Sequence, residues 1–332
     1  MSVNLVNKKI LLFVPGGRGI YGTAVAAELE ERGATVAVFD ERPSQKTFTK
    51  IAFRLAKKQL KAFFLNYLTS IIKQNKHIAF DYILIIRAEA FTPAAMKLLK
   101  ETYPNAKTIL YLWDSVNNTN TAELFPIFDR ILSFDRFDVE KYNLIHRPLF
   151  FINDYRKIAL HAEVTKDVLF IGKVHSDRYA FLSLMEQILN KNNFSTYFYL
   201  YLPSSLLYYQ MKLQNADFKK AKKKDFHFKM MPAAQAALLL GQSRASLDAQ
   251  HPAQTGLTMR TLEVFGAKRK LITTNQDIKH YDLYDEQNIL VVNRKNPKID
   301  LEFIRSPYKE VSFQVYERYS LQGWTNDLFY NL

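Results

Sequence analysis

A glycine loop running into a helix at 254–266, QTGLTMRTLEVFG, has the make-up of an anion-binding site. A helix start offers backbone N–H groups and the positive end of its dipole to a bound anion. Arg260, near that start, can grip a diphosphate in a planar fork. Glu263, about one turn later, is placed to accept hydrogen bonds from sugar hydroxyls such as those of a ribose. The competing reading is a solvated Arg260–Glu263 pair on a helix whose Leu262 and Phe265 face the core.

A second glycine loop lies near the N-terminus. Gly17-Arg18-Gly19-Ile20-Tyr21-Gly22 fits G-x-G-x-x-G between an expected strand and an expected helix, and Asp40 ends the following strand. This is the arrangement of a dinucleotide site, with the acid on a ribose, so NAD(P) binding is an alternative function. Chemistry for hydride transfer is missing. Tyr103–Lys107 and Tyr208–Lys212 have the Tyr-x-x-x-Lys spacing, but Pro104 interrupts the first and the second lies in the other half of the chain.

Other candidates stand at expected strand ends. Asp114 and Glu89, in that order, are the carboxylates able to take a proton from an acceptor hydroxyl. For Asp114 the plainer role is a helix cap or loop turn beside Asn117 and Asn118. Lys173, Arg178 and Arg260 are the cations available to a leaving diphosphate. No Asp-x-Asp occurs, so metal-independent chemistry is expected; Asp135 and Asp138 read as a solvated helix start. The chain contains no cysteine, which excludes thiol nucleophiles, Cys-ligated zinc and disulfide scaffolds.

These residues need elements to hold them. Short β-rich runs alternate with helical stretches twice: Lys9–Val14 to Arg147–Phe151, then Asp167–Ile171 to Asn288–Val292, with Tyr308–Leu332 helical at the end. Apolar runs separated by amphipathic helices indicate parallel sheets covered on both faces. The expected fold is α/β, with two Rossmann-like domains facing a central cleft. The expected divisions are 1–155, 156–312 and a helical strap over 313–332. At 332 residues the chain is long enough for two cores. Its apolar runs are strand-length, too short to span a membrane or serve as a secretory leader, so a cytoplasmic protein is expected. No bound cofactor is implied.

The formal net charge of +14 favours a polyanionic partner without choosing one. A basic nucleic-acid-binding protein is the contrasting class, but no recognition motif appears. Lys46–Lys76 and the run Lys219–Lys224 would suit an anionic membrane surface, or form solvated faces and an exposed loop.

The segment 260–267, followed by the strand Lys270–Thr273, resembles the R-x-x-E signature of the GT-B glycosyltransferases, in particular the group-1-type, spore-maturation CgeB-like branch of bacterial surface polysaccharide assembly. Further segments similar to that branch are 111–115 (YLWDS), 133–136 (SFDR), 147–150 (RPLF) and 170–179 (FIGKVHSDRY). The resemblance implies a nucleotide-sugar donor in the second domain and a glycan or lipid-linked acceptor in the first. It also implies a C-terminal helix that crosses back. On this pattern Glu263 matches the acid that holds the donor ribose, and Arg260 the cation at the diphosphate. Gly172 and Lys173, with His175, fall on the phosphate-facing loop, and Met230 and Met231 where the base edge is met. Thr255 and Gly256 belong to the donor loop, and Gly17, Arg18 and Gly19 to the acceptor side. Thr255 stands where group-1 enzymes typically carry another Glu.

Overall fold

The computed structural model describes residues 3–44, 60–174, 178–250 and 256–332. His175, Thr255 and residues 46–59 of the basic stretch Lys46–Lys76 lie outside the described residues. The chain divides into two compact units: Met1–Phe150 with Glu317–Leu332, and Phe151–Tyr316.

Unit 1 contains β1 (Lys9–Val14), α1 (Ile20–Glu31), β2 (Thr35–Asp40), α2 (Lys61–Asn75), β3 (Tyr82–Ile86) and α3 (Pro93–Thr102). It continues with β4 (Lys107–Leu112), α4 (Val116–Thr119), β5 (Arg130–Ser133), α5 (Arg136–Tyr142) and β6 (Ile145–His146). Its strands form one parallel sheet in the order β2-β1-β3-β4-β5-β6. The apolar runs Ile10–Val14 and Ile83–Ile86 are wholly buried, as a sheet covered on both faces requires. Thr92 caps α3 by accepting from the Ala95 N–H, with Pro93 preset for the first turn.

Unit 2 contains α6 (Asn153–His161), β7 (Lys166–Lys173), α7 (Arg178–Lys191), β8 (Thr196–Tyr201), α8 (Ser205–Gln214), β9 (Phe226–His227) and α9 (Ala233–Gly241). Then follow β10 (Ser243–Asp248), α10 (Met259–Gly266), β11 (Lys270–Thr273), β12 (Ile289–Val291) and α11 (Leu301–Arg305). The parallel order is β12-β11-β10-β7-β8-β9. Counted from its own first strand this is 6-5-4-1-2-3, the doubly wound Rossmann order. The order of strands reverses at β7/β10 here and at β1/β3 in unit 1. Ligands of such sheets bind outside the strand ends at those reversals.

The last helices are α12 (Phe313–Arg318) and α13 (Leu321–Phe329). Helix α13 belongs to unit 1, where Trp324 and Leu328 are fully buried and Trp324 meets Tyr111 edge-on at 4.9 Å. Asp327 pairs at 2.8 Å with the buried Arg147 guanidinium, which also reaches the Arg318 carbonyl.

Several sequence expectations need correction. Arg147–Phe151 is not a regular strand; the edge strand is Ile145–His146. Arg147 turns inward to α13, and Pro148 has no N–H to give a ladder. The run Phe226–Met230, which reads as a strand in the sequence, is one only over Phe226–His227. Residues 308–312 are not helical, and Ser320 opens a separate α13 by accepting from the Gly323 N–H. Asp135 and Asp138 are buried, not solvated: Asp135 caps α5, and Asp138 accepts from the Val116 N–H at 2.8 Å. Burial raises the Asp138 pKa above the ordinary carboxylate value.

Candidate functional site

In unit 2 the strand ends at the reversal carry a connected polar group. Strand β10 ends in Asp248, whose buried carboxylate accepts from the Thr258 hydroxyl at 2.6 Å and the Thr261 hydroxyl at 2.8 Å. Thr258 is the cap of α10, accepting from the Thr261 N–H. One carboxylate thereby fixes the first turn of the helix to the end of its own strand.

That turn presents Arg260 and Glu263. Their side chains pair at 2.8 Å, and Glu263 is buried. The pair is therefore not the solvated one that the sequence left open. Arg260 also reaches the Ile171 carbonyl of β7 at 3.5 Å, so it leans over the reversal point. Tyr155 of α6 hydrogen-bonds Glu263 through its hydroxyl. Burial first, and then the Glu263 charge, push its pKa far above the ordinary phenol value. The hydroxyl stays protonated and acts as a donor.

At the end of β7, Gly172 is followed by Lys173, whose side chain is exposed. Arg178, at the start of α7, donates to the Lys173 carbonyl at 2.8 Å. Gly256 is buried ahead of α10. Met231 is buried and Met230 exposed, both beyond β9 at the sheet edge. The group gathered at the reversal is thus Lys173, Arg178, Asp248, Arg260, Glu263 and Tyr155. Asp248 and Tyr155 carry no sequence signal of their own. In the sequence the strand reads as Ala245–Ala249, one residue past its end at Asp248, which hides that acid, and Tyr155 comes from a helix more than 100 residues before Glu263.

Unit 1 is built differently. Gly16 and Gly17 take φ values of 82° and 55°, a left-handed turn that favours glycine. A Cβ on Gly22 would lie 1.9 Å from the Gly17 carbonyl oxygen, so only glycine lets α1 approach the loop. Asp40 accepts from the Gly16 N–H at 3.2 Å and the Arg42 N–H at 3.1 Å. Its carboxylate is thus turned on the loop backbone. The Gly17–Gly22 spacing is met by close packing, with Arg18 exposed and Gly19 capping α1.

Next to this loop lies a buried ion cluster. Glu41 accepts from the Arg87 side chain and, at 2.9 Å, from the Glu89 N–H. Arg42 donates to Glu89 at 3.0 Å, and Glu89 lies 3.5 Å from Arg87. Arg87 and Ala88 are consecutive left-handed non-glycine residues, with φ of 79° and 59°. Such strain persists only where the surroundings over-determine it, and Glu41 bonds the residues on both sides of Ala88. Asp114 is half-buried at the end of β4, accepting from the Ser115 N–H and the Asn118 side chain at 2.9 Å each, and its charge acts on Arg87. Glu41 and Arg42 were not singled out in the sequence, although the triplet Asp40-Glu41-Arg42 at a strand end is the signal that could have done so.

Tyr208 and Lys212 prove structural. The buried Tyr208 hydroxyl donates to the Ala221 carbonyl at 2.9 Å, and Lys212 reaches the same oxygen.

No family model matches the chain, and no curated protein matches it significantly. Solved structures do. A glycosyltransferase from Rickettsia africae aligns with TM-score 0.54 at 13% identity, over 98% of this chain and 100% of its own. HepE (Alr3699) of Anabaena, solved with UDP-glucose, aligns with TM-score 0.54 at 11% identity, over 96% and 98%. The lipopolysaccharide outer core galactosyltransferase WaaB aligns with TM-score 0.52 at 10% identity, over 98% and 100%. At such identities the likeness speaks for the fold, the two Rossmann-like units of the GT-B kind.

Proposed function

We propose that this protein is a glycosyltransferase that moves a sugar from a nucleotide-diphosphate donor to a glycan or lipid-linked acceptor in surface polysaccharide assembly. The observation that carries the reading is the Arg260–Glu263–Tyr155 group at the β7/β10 reversal of unit 2. Its parts suit a nucleoside diphosphate: a buried acid for ribose hydroxyls, held by a tyrosine, and a planar cation one turn before it. HepE, which shares the fold, was solved with UDP-glucose, and that supports a nucleotide-sugar here.

In this reading the bond from the sugar's anomeric carbon to the diphosphate breaks, and its electron pair leaves with the diphosphate. Arg260, Arg178 and Lys173 stabilise the charge that develops there, without a metal ion. The acceptor oxygen bonds to the sugar. Asp114 takes the acceptor proton in an inverting transfer. Glu89, buried against Arg42 and Arg87, anchors the loop behind it rather than serving as the base.

Calorimetry with UDP, GDP, ADP and NADH tests this. One diphosphate nucleotide should bind; Glu263→Ala should abolish that binding with the fold retained. Arg260→Ala should weaken it by about 1.5–3 kcal/mol, the scale of hydrogen bonds to a charged group. Unchanged nucleotide binding in both variants would overturn the assignment. Tighter binding of NADH, lost in Gly19→Val, would favour the dinucleotide reading instead.

A further inference from the structure

Helix α8 turns an apolar stripe to solvent. Its inner side is set by Tyr208, buried in the core of unit 2, with Leu207 and Met211 packed beside it. On the opposite side Leu206, Tyr209 and Leu213 follow at i, i+3 and i+7, one line along a helix of 3.6 residues per turn. Their exposures are 76%, 53% and 85%. Single exposed apolar residues are ordinary on a protein surface; three aligned on a ten-residue helix form a patch.

The lysine run is fastened alongside this stripe. Lys219, Lys220, Lys222, Lys223 and Lys224 are all exposed. The backbone of the run is tied to α8, because the Tyr208 hydroxyl and the Lys212 ammonium both donate to the Ala221 carbonyl, at 2.9 and 3.1 Å. The Lys223 ammonium lies 5.3 Å from the Tyr209 ring centroid, so cation and apolar stripe share one surface. From Ser205 to Lys229 the chain holds seven lysines against two acids, Asp217 and Asp225.

We propose that α8 and the lysine run form a docking surface for an anionic phospholipid bilayer. Leu206 and Leu213 enter the boundary between headgroups and acyl chains. Tyr209 lies at headgroup level, with its ring in the apolar layer and its hydroxyl in water. The lysines meet lipid phosphates, their stems lying along the apolar layer. Charge selects this occupant. A second copy docked about a two-fold axis would bring two lysine runs together, and a nucleic-acid backbone offers the leucines nothing to enter. An anionic bilayer satisfies both halves of the patch at once. The proposal is independent of the donor reading, since none of these residues belongs to the group at the β7/β10 reversal.

The test is sedimentation of the full chain with vesicles of phosphatidylcholine alone or mixed with phosphatidylglycerol. Binding should be about tenfold or more tighter to the mixed vesicles and should weaken as salt is added. The double variant Leu206→Gln/Leu213→Gln should lose about tenfold in binding. The triple variant Lys222→Ala/Lys223→Ala/Lys224→Ala should lose at least as much, and most of the salt dependence with it. Both should keep the melting temperature of the parent, because the altered side chains are exposed. Equal sedimentation of parent and variants, or no preference for the anionic vesicles, would overturn the proposal. So would a dimer that Leu213→Gln dissolves in a chain that does not sediment with vesicles, since the patch would then belong to a second copy. Tighter, salt-dependent binding to random duplex DNA than to the mixed vesicles would also overturn it.

Discussion

The two units solve the same topological problem with opposite electrostatics. At the β1/β3 reversal of unit 1 two acids and two arginines close on one another: Glu41, Arg42 and Glu89, all buried, and the half-buried Arg87. At the β7/β10 reversal of unit 2 the two buried acids are not bound to one another's cations: Glu263 is paired with Arg260, Asp248 accepts from two threonine hydroxyls, and Lys173 nearby stands in solvent. Unit 1 satisfies its charges internally and uses them to hold a strained turn. Unit 2 keeps cationic groups at its strand ends. A reversal point is therefore a place where a ligand can bind, but the charge arrangement decides whether that place is a clamp or a binding surface.

The largest expected effect comes from opening the clamp. Glu41→Ala leaves the buried Arg42 and the half-buried Arg87 without that carboxylate and releases the Glu89 N–H. Removing one partner of a buried ion group typically destabilises by about 3–5 kcal/mol. Denaturant titration should show a loss of this size, and the turn at Arg87–Ala88 should become susceptible to proteolysis. A loss below about 1 kcal/mol, the range of surface pairs, would mean the cluster is not a clamp.

A smaller effect is expected at the other reversal. Asp248→Ala removes the acceptor of the Thr258 and Thr261 hydroxyls. Hydrogen bonds to a charged group contribute about 1.5–3 kcal/mol, so α10 should loosen at its first turn. Hydrogen exchange would show it as faster exchange over 259–262 with the rest of unit 2 protected. If nucleotide affinity falls as well, Asp248 positions Arg260; exchange unchanged over that turn would rule the bracing role out.

The smallest effect concerns pH. His146, at the edge of unit 1's sheet, has its pKa lowered by burial and then by the charge of Arg136. The folded protein holds it neutral, whereas the unfolded chain takes up a proton near pH 6.5. Its contribution to stability is therefore complete above about pH 6.5 and is lost as the pH falls toward the folded value. The stability difference between the parent and His146→Gln should shrink from pH 7.5 to pH 5.5. A difference independent of pH would show that His146 does not titrate differently in the two states.

Much of the frame was legible because it follows from local pattern. The run Lys107–Leu112 is apolar and β-branched enough to be a strand wherever it lies, and Arg178–Lys191 has the amphipathy of a helix; both have the limits expected of them. Arg147 misled because a strand pattern does not reveal that a guanidinium will be buried and satisfied by Asp327, 180 positions later. The lysine run was seen, but not the stripe beside it. Leu206, Tyr209 and Leu213 look like core residues until the structure shows Tyr208 taking the inner side of the helix instead.

The sequence by itself determined that strands and helices alternate twice, that glycine loops open helices, and that Arg260 and Glu263 share a helix face. Each of these depends on residues within a turn or a strand of one another, where propensity and periodicity act. Only the tertiary structure decided the strand orders, and with them the two reversal points. It also decided which carboxylates are committed: Glu89 to Arg42, Asp40 to the Gly16 N–H, Asp248 to Thr258 and Thr261. The physical reason is that a carboxylate's role depends on what surrounds it after burial. Those neighbours arrive from strands and helices far along the chain, through contacts that no local pattern encodes.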